Sequence, residues 1–292
     1  MRGAEGQLLA RRWLLLMVIL AAVVIVCRQN LRPPKTPSYY AFGRGPTVVL
    51  VHGLGSEMQH WLPTARLLAR HHRVVLVELP GHGLAPMPTP FSLEQAAASL
   101  DDAIRDATDD PVILVGHSVG GLVAAQEALN QPDRVRGLVL VETSLKSQAS
   151  PEMRELMLAR LEHDYDKVLH EFYLGFGRDS LQGERLYSEV ARMEPMMVKS
   201  WIRLALFADL AGQMRKLMPP LLAVFSPYSW EPKDTWPQVS RALGYDGVRR
   251  LQQVRIENAG HFLMLDQPEA LADEIAKFVI GAQNNVVSTL AP

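Results

Sequence analysis

The sequence predicts an α/β protein with a mostly parallel central sheet, helices on both faces of the sheet and a helical cap inserted after the sixth core strand. Two observations lead to this fold class. From Gly45 onward, short apolar runs alternate with helical stretches, as in a parallel sheet that is covered on both sides. Between Val141 and Leu221 no apolar strand occurs, and residues 151–216 form Met- and Leu-rich helical segments with many charges. We expect these segments to cover the carboxyl edge of the sheet, where open α/β sheets bind ligands.

The individual elements follow from apolar runs and their boundaries. The predicted strands span residues 47–51, 73–79, 112–115, 135–141, 221–225 and 251–256. The predicted helices outside the cap span residues 61–70, 92–106, 122–130 and 269–279. Ser92 is a suitable N-cap for the second of these helices, since Glu94 and Gln95 follow it in the first turn.

Four segments are expected along the 292 residues. They are a membrane anchor or signal segment at 1–28, a linker at 29–40, a core domain at 41–146 and 217–284, and the helical cap at 147–216. The linker assignment depends on Pro33, Pro34 and Pro37, which favour an extended chain.

The N-terminal segment predicts a contact with a membrane. Residues 13–27 are apolar and uncharged, with arginines on both sides, and they are a little short for a bilayer core of about 30 Å. Snorkelling arginines can make up the difference. Because no Ala-x-Ala-like cleavage site follows, an uncleaved signal anchor is preferred, with a single pass and an extracytoplasmic domain. The alternative is a protein that is secreted after signal cleavage.

Composition excludes some classes of function. The net charge of −1 and the pI near 6.8 give no electrostatic footprint for nucleic acid. Cys27 is the only cysteine, so we expect no disulfide, no thiol chemistry and no cysteine metal site in the body of the protein.

Ser118 is the strongest candidate for a catalytic side chain. It lies in Gly116-His117-Ser118-Val119-Gly120, after the apolar run 111–115 and before a helix-forming run. A strand, a tight turn and a helix around Gly-x-Ser-x-Gly are the context of a nucleophile elbow. The turn exposes the hydroxyl at the N-terminus of a helix, whose dipole favours negative charge. We therefore predict that Ser118 is a nucleophile.

His261 is the predicted general base. It follows the last predicted strand and comes after the serine in the chain, so its loop can carry the imidazole to Ser118. Leu54 and Val119 are the predicted donors of backbone amides to an oxyanion. Leu54 lies between two glycines after the first predicted strand, and Val119 follows the nucleophile. His52 is expected to hold the loop of Leu54 by hydrogen bonding.

These residues belong to a larger set of motifs. The set is His52-Gly53-Leu54-Gly55, Leu79-Pro80-Gly81-His82-Gly83, Gly116-His117-Ser118-Val119-Gly120-Gly121, and Ala259-Gly260-His261 followed by Gln267-Pro268-Glu269. In this order and spacing, the chain resembles the α/β-hydrolase fold superfamily over about residues 40–282, in its serine-nucleophile, esterase- or lipase-like branch. The resemblance implies the same roles for Ser118, His261, Leu54 and Val119. The serine excludes the branches that use an aspartate nucleophile.

The sequence offers more than one carboxylate as the acid of a Ser-His-acid triad. Family members usually carry an aspartate a few residues after the strand at 221–225, but that register falls on Ser229. Asp234 comes later, at a suitable distance before His261, and is the first choice. Glu142, after the strand at 135–141, is the alternative, because some members carry the acid there. Glu231 is a weaker option, and Glu78 is expected to be structural.

The resemblance implies a serine hydrolase that cleaves small-to-medium, apolar carboxylic esters through a Ser-His-acid triad and an acyl-enzyme. A small-molecule ester is the expected partner, and no cofactor or metal is implied. The alternatives are an amidase, a thioesterase, a C–C hydrolase, a perhydrolase or haloperoxidase, or a non-catalytic binding module on the same fold. An apolar cap lining is expected from residues of the inserted segment, namely Phe172, Tyr173, Phe176, Met193, Met196, Met197, Trp201 and Phe207.

Overall fold

A computed structural model describes residues 38–290, and it describes their side chains as far as residue 282. Seven strands form one sheet. Their bounds are β1 Tyr39–Gly43, β2 Thr47–Val51, β3 Arg73–Val77, β4 Val112–His117, β5 Val135–Val141, β6 Leu221–Phe225 and β7 Leu251–Arg255. The strand order is β1-β3-β2-β4-β5-β6-β7, with β1 antiparallel to β3 and every other pair parallel.

Helices connect these strands. The helices are α1 Leu62–Leu68, α2 Leu93–Ala107, α3 Val119–Asn130, α4 Pro151–His163, α5 Tyr165–Phe176, α6 Ser180–Val190, α7 Pro195–Phe207, α8 Ala211–Met214, α9 Trp236–Leu243, α10 Leu263–Asp266 and α11 Pro268–Leu290. A 3₁₀ turn at Met58–Trp61 precedes α1. We refer to α4–α8 as the inserted helices, because they lie between β5 and β6 in the chain.

The predicted fold class is confirmed, with two differences in detail. The inserted helices follow β5, which is the fifth described strand and not the sixth. The edge strand β1 was not predicted, and it begins at Tyr39 inside the expected linker. Its residues are half-buried or exposed, so it lacks the continuous apolar run that identifies the inner strands.

The centre of the sheet is apolar on both faces. Every residue of β2, β4 and β6 is buried, as expected for parallel strands that are covered by helices on either side. The two end strands differ, since β7 has half-buried and exposed residues throughout. The buried centre gives a rigid base for the loops at the carboxyl ends of β2, β4, β5 and β6.

The expected membrane association must be corrected. Between residues 38 and 290, the helices are too short or too polar to span a bilayer. The longest, α11, has 23 residues, but charged Glu269, Asp273, Glu274 and Lys277 lie along it. The predicted anchor at 1–28 lies outside the described residues. The predicted transmembrane signal anchor is therefore wrong for the described part of the chain. The same holds for the predicted membrane partner and for the predicted membrane or secreted location.

Candidate active site

Ser118 occupies a strained turn between β4 and α3. Its backbone has φ 53° and ψ −124°, a region that is costly for a residue with a side chain, by about 1–3 kcal/mol. Neighbouring groups hold the turn. The Ser118 N–H donates to the carbonyl of Val141 at 2.9 Å, and the Ser118 carbonyl accepts from Gly121 N at 2.9 Å and Thr143 Oγ1 at 3.1 Å. The strand-turn-helix arrangement expected around this serine is present.

The glycines of the motif allow the turn to pack against its neighbours. A Cβ atom on Gly120 would lie 2.0 Å from the carbonyl oxygen of His52, and one on Gly121 would lie 2.0 Å from Thr143 Oγ1. Both distances are far shorter than a van der Waals contact, so neither position has room for a side chain. The motif therefore brings the loop after β2 close to the start of α3.

His261 lies in the loop between β7 and α10 and is held by its backbone. Its N–H donates to the carbonyl of Phe176 at 3.0 Å, and its carbonyl accepts from His117 Nε2 at 2.9 Å. The imidazole stacks on the Phe176 ring, with 4.7 Å between centroids. Burial, followed by the neighbouring His261, lowers the pKa of His117 well below its ordinary value, so a neutral His117 makes this bond. The sequence gives no sign of this bond, because His117 and His261 are 144 positions apart.

Glu142 lies beside the imidazole of His261. Its Oε2 atom is 3.4 Å from Nδ1 of His261, and the residue is only 3% exposed. Ser226 donates its N–H to Oε1, and Ser229 donates its hydroxyl to Oε2. Two donors to one carboxylate fix its direction. The hydroxyl of Ser229, which occupies the family's usual acid position, thus binds the glutamate from the neighbouring strand end.

Asp234, the preferred acid, is located elsewhere. It is half-buried in the turn before α9, where its backbone carbonyl accepts from Trp230 Nε1 at 3.0 Å. Among the described residues, no hydrogen bond or ion pair joins Asp234 to His261. Glu231 is exposed and pairs with Lys233 at 2.8 Å. Asp234 and Glu231 lie away from His261 because the chain after β6 turns back at once. Hydrogen bonds from Ser229 N and Trp230 N to Ser226 O hold this turn. The geometry therefore favours Glu142.

The loop after β2 forms a tight turn that carries the Leu54 amide. Ser56 N donates to Gly53 O at 3.4 Å, and Gly55 has φ +66°, which a glycine adopts readily. Within the described residues, neither Leu54 N nor Val119 N donates to a protein acceptor. Both residues border the same cavity as Ser118 and His261. The two amides are thus free to bind a ligand oxygen.

His52 and Glu78 support this turn from the interior. His52 is fully buried, and its Nδ1 donates to Gly53 O at 2.8 Å, while its Nε2 lies 3.0 Å from Leu79 N. The carboxyl of Glu78 lies 2.9 Å from the same Nε2. Burial raises the pKa of Glu78, but the hydrogen bond and charge of His52 outweigh it, so the pKa lies below its ordinary value. Both residues have the contacts expected of structural groups.

A cavity of about 510 Å³ contains the candidate residues. Ser118, His261 and Glu142 line it, together with Leu54 and Val119. The other lining residues are mainly apolar, and several belong to the inserted helices: Met157, Phe172, Tyr173, Phe176, Ile202, Ala205 and Leu206. Lys146 is the only lysine or arginine among the lining residues.

Only part of the predicted cap lining reaches the cavity. Phe172, Tyr173 and Phe176 line it, whereas Met193, Met196, Met197, Trp201 and Phe207 do not. Trp201 is fully buried, and its Nε1 donates to Pro80 O at 3.0 Å. Spacing along a helix could not separate residues that face the site from those that pack between elements.

Comparisons with known proteins agree with the fold and with hydrolytic chemistry. The model of the alpha/beta hydrolase family matches residues 48–274. Pimeloyl-acyl-carrier-protein methyl ester esterases are similar in sequence. The one from Aeromonas salmonicida is 28% identical over 82% of this chain and 97% of its own, and the one from Neisseria meningitidis is 30% identical over 80% and 93%.

Solved structures are similar in fold. A hydrolase from Oleispira antarctica has a TM-score of 0.74 at 19% identity, covering 86% of this chain and 96% of its own. The enol-lactonase from Burkholderia xenovorans has a TM-score of 0.71 at 20% identity, covering 83% and 95%. At these sequence identities, the similarity to the two structures shows the fold alone. The family match covers well over half of the chain, and the predictions of the superfamily and of a hydrolase are confirmed: the chain belongs to the alpha/beta hydrolase family.

Proposed function

We propose that this protein hydrolyses carboxylic esters through an acyl-enzyme on Ser118. In this proposal His261 is the general base, Glu142 orients it, and the amides of Leu54 and Val119 bind the oxyanion. The observation that carries the proposal is the common cavity of Ser118 and His261, with the Glu142 carboxylate 3.4 Å behind the imidazole. The names of the similar esterases support an ester as the substrate.

Each group has a defined task in the reaction. Ser118 Oγ attacks the ester carbonyl while His261 Nε2 takes the hydroxyl proton, and the carbonyl oxygen becomes an oxyanion between the two amides. The tetrahedral adduct collapses when His261 returns the proton to the departing alcohol. Water then attacks the acyl-Ser118 ester with His261 again as base, and the carboxylic acid leaves. Glu142 stabilises the imidazolium that forms twice in this cycle.

The choice of Glu142 as the acid is supported by its surroundings. The carboxylate is buried and accepts from Ser226 N and Ser229 Oγ, so it is fixed in the direction of Nδ1. Asp234 lacks any bond to His261 in the described chain. Glu231 is also a poor candidate for the acid, because its side chain is exposed and paired with Lys233.

The cavity supports a small-to-medium, largely apolar substrate. Its volume of about 510 Å³ lies in the range of small-molecule sites, and its walls are mainly aliphatic and aromatic. Lys146, the one cationic lining residue, disfavours substrates with a positive charge. Since inserted helices contribute to the wall, we also propose the division into a core at 41–146 and 217–284 and a cap at 147–216.

A methyl ester on a protein-borne acyl chain is a second candidate substrate. The similar esterases are named for an acyl-carrier-protein substrate, and they match this chain over 80% or more of its length. One measurement distinguishes the small-molecule ester from the carrier-bound ester. Equal kcat/KM for a free methyl ester and for the same acyl group on a carrier protein would support the small-molecule substrate, and a large excess for the carrier would support the second.

Ester hydrolysis itself is tested with p-nitrophenyl esters of increasing acyl length. We expect turnover that passes through an optimum at short-to-medium chains, because the cavity has a volume of only about 510 Å³. Ser118→Ala should lose activity by about 10⁵–10⁶-fold, as expected for a triad nucleophile. A folded wild type that hydrolyses none of the esters contradicts the proposal and favours a binding module on this fold.

A further inference from the structure

The turn Gly53–Ser56 is held at three of its polar groups. His52 Nδ1 donates to Gly53 O at 2.8 Å, Tyr173 OH donates to Leu54 O at 2.8 Å, and Ser56 Oγ lies 2.8 Å from His60 Nδ1. The Leu54 N–H belongs to the same peptide unit as Gly53 O, so its direction follows from the position of the turn. The proposed oxyanion donor is thus fixed by contacts around it.

His60 connects this turn to the inserted helices. Its Nε2 lies 3.0 Å from Oε2 of Glu189, a residue of α6, while its Nδ1 contacts Ser56. Burial, the largest effect, lowers the pKa of His60, although Glu189 opposes it. In a neutral imidazole with its proton on Nε2, Nδ1 accepts a hydrogen bond from the Ser56 hydroxyl. Ser56, His60 and Glu189 therefore lie in a row, each within 3.0 Å of the next at its polar atoms.

Ser56, His60 and Glu189 follow the Ser-His-acid order of a catalytic triad, but they are not exposed to a substrate. Ser56 is fully buried, and none of the three residues borders the cavity that contains Ser118. No substrate carbonyl can reach the Ser56 hydroxyl in this arrangement. The three residues are therefore suited to hold the turn and not to attack a substrate.

Two of the supports for the turn come from the inserted helices. Tyr173 on α5 contacts Leu54 directly, and Glu189 on α6 reaches Ser56 through His60. Gly55 lies between these contacts, and a Cβ atom there would be 2.0 Å from the Tyr173 hydroxyl. The turn and the two helices thus fit closely, and a displacement of either helix would move the peptide that carries Leu54 N–H.

We propose that His60 is a positioning residue for ester hydrolysis: it links Ser56 to Glu189 and so holds the Leu54 amide where the oxyanion develops. This inference rests on the proposed function. An oxyanion donor contributes about 10²–10³-fold to kcat, and partial misplacement of one donor loses part of that factor. The loss falls on kcat, since the oxyanion exists only after the carbonyl has been attacked.

The test compares His60→Phe with His60→Gln. Phenylalanine keeps a ring against Phe262, whose centroid lies 6.1 Å from that of His60, but it loses both polar contacts. Glutamine offers one acceptor for Ser56 and one donor for Glu189. We expect His60→Phe to lower kcat for a p-nitrophenyl ester about tenfold with KM changed less than twofold, and His60→Gln to recover most of the loss.

A matched control lies on the same two helices. His170 on α5 faces Glu184 on α6, with Nε2 2.9 Å from Oε1, and this exposed pair does not contact the turn. His170→Phe should leave kcat and KM unchanged. A second readout is the inhibition constant of an aryl boronic acid, which forms a tetrahedral adduct on the serine. It should rise in His60→Phe by the factor that kcat/KM falls, while inhibition by the product carboxylate is unaffected.

The outcomes separate this inference from the function on which it rests. If wild type hydrolyses esters and His60→Phe behaves like His170→Phe, the positioning role is wrong. A loss confined to KM, or an equal loss in His60→Gln, also overturns it. If His60→Phe does not fold, Glu189→Ala is compared with Glu189→Gln. These variants test the same contact from the Glu189 side. A folded wild type without any esterase activity overturns the proposed function itself.

Discussion

Glu142 contacts His261 across the end of an intervening strand: Oε2 lies 3.4 Å from Nδ1. Glu142 follows β5, His261 follows β7, and β6 lies between these strands in the sheet. The end of β6 supplies Ser226 N and Ser229 Oγ, both of which donate to the carboxylate. A long glutamate side chain from β5 thus occupies the space where an aspartate after β6 would otherwise face the histidine.

Replacement of the two candidate acids should have very different effects. We expect Glu142→Gln to lower kcat by about 10³–10⁴-fold, because the imidazolium loses its counter-charge and its tautomer is no longer fixed. Asp234→Asn should change kcat less than twofold, and it serves as the matched control. Initial rates with a p-nitrophenyl ester measure both. A severe loss in Asp234→Asn with near-normal Glu142→Gln would restore the aspartate as the acid.

The sequence was informative where the signal is local. The turn at Ser118 could be predicted, because an apolar strand, two flanking glycines and a helix-forming run are contiguous in the chain. The choice between Glu142 and Asp234 could not, since it depends on which strand end reaches His261. Glu142 and His261 are 119 positions apart, and only the register of β5, β6 and β7 decides their distance. The contact between His60 and Glu189 could not be predicted for the same reason, since it joins residues that are far apart in the sequence.

The close approach of α3 to the loop after β2 predicts a strong effect at Gly120. A Cβ atom there would lie 2.0 Å from the carbonyl oxygen of His52. Because that atom is backbone and cannot rotate away, we expect Gly120→Ala to reduce the free energy of unfolding by about 1–3 kcal/mol or more. Urea denaturation followed by circular dichroism measures this change.

Gly175 provides the control for this substitution. It lies within helix α5, and a Cβ atom would meet nothing within 4 Å. Gly175→Ala should raise the free energy of unfolding by about 0.5–1 kcal/mol, since alanine favours a helix. Equal stability of the two variants would contradict the close contact at Gly120.

Glu127 predicts a dependence of stability on pH. It is buried on α3, and burial, followed by the charge of Asp101, raises its pKa from 4.5 to about 8. An acid whose pKa is raised by folding binds more protons in the folded state. The native state therefore loses stability as the pH rises from 4.5, and the loss is complete above about 8.

The variant Glu127→Gln tests this linkage. Glutamine is neutral at every pH and can donate its amide proton to Asp101 in place of the carboxyl proton. The Tm of Glu127→Gln relative to wild type should rise between pH 5 and pH 8 and level off above that. Glu94→Gln, which alters an exposed carboxylate on α2, gives the reference. A constant difference in Tm for Glu127→Gln over this range would show that its carboxyl is not perturbed.

The most direct test of Ser118 as the nucleophile identifies the atom that becomes covalently bound. Wild type is incubated with a fluorophosphonate, digested, and the modified peptide is sequenced by tandem mass spectrometry. We predict one phosphonyl group on Ser118, no labelling of Ser118→Ala, and much slower labelling of Glu142→Gln, because the serine reacts only when His261 accepts its proton. A folded wild type that is not labelled, or a Ser118→Ala variant that is labelled as fast as wild type, would contradict it.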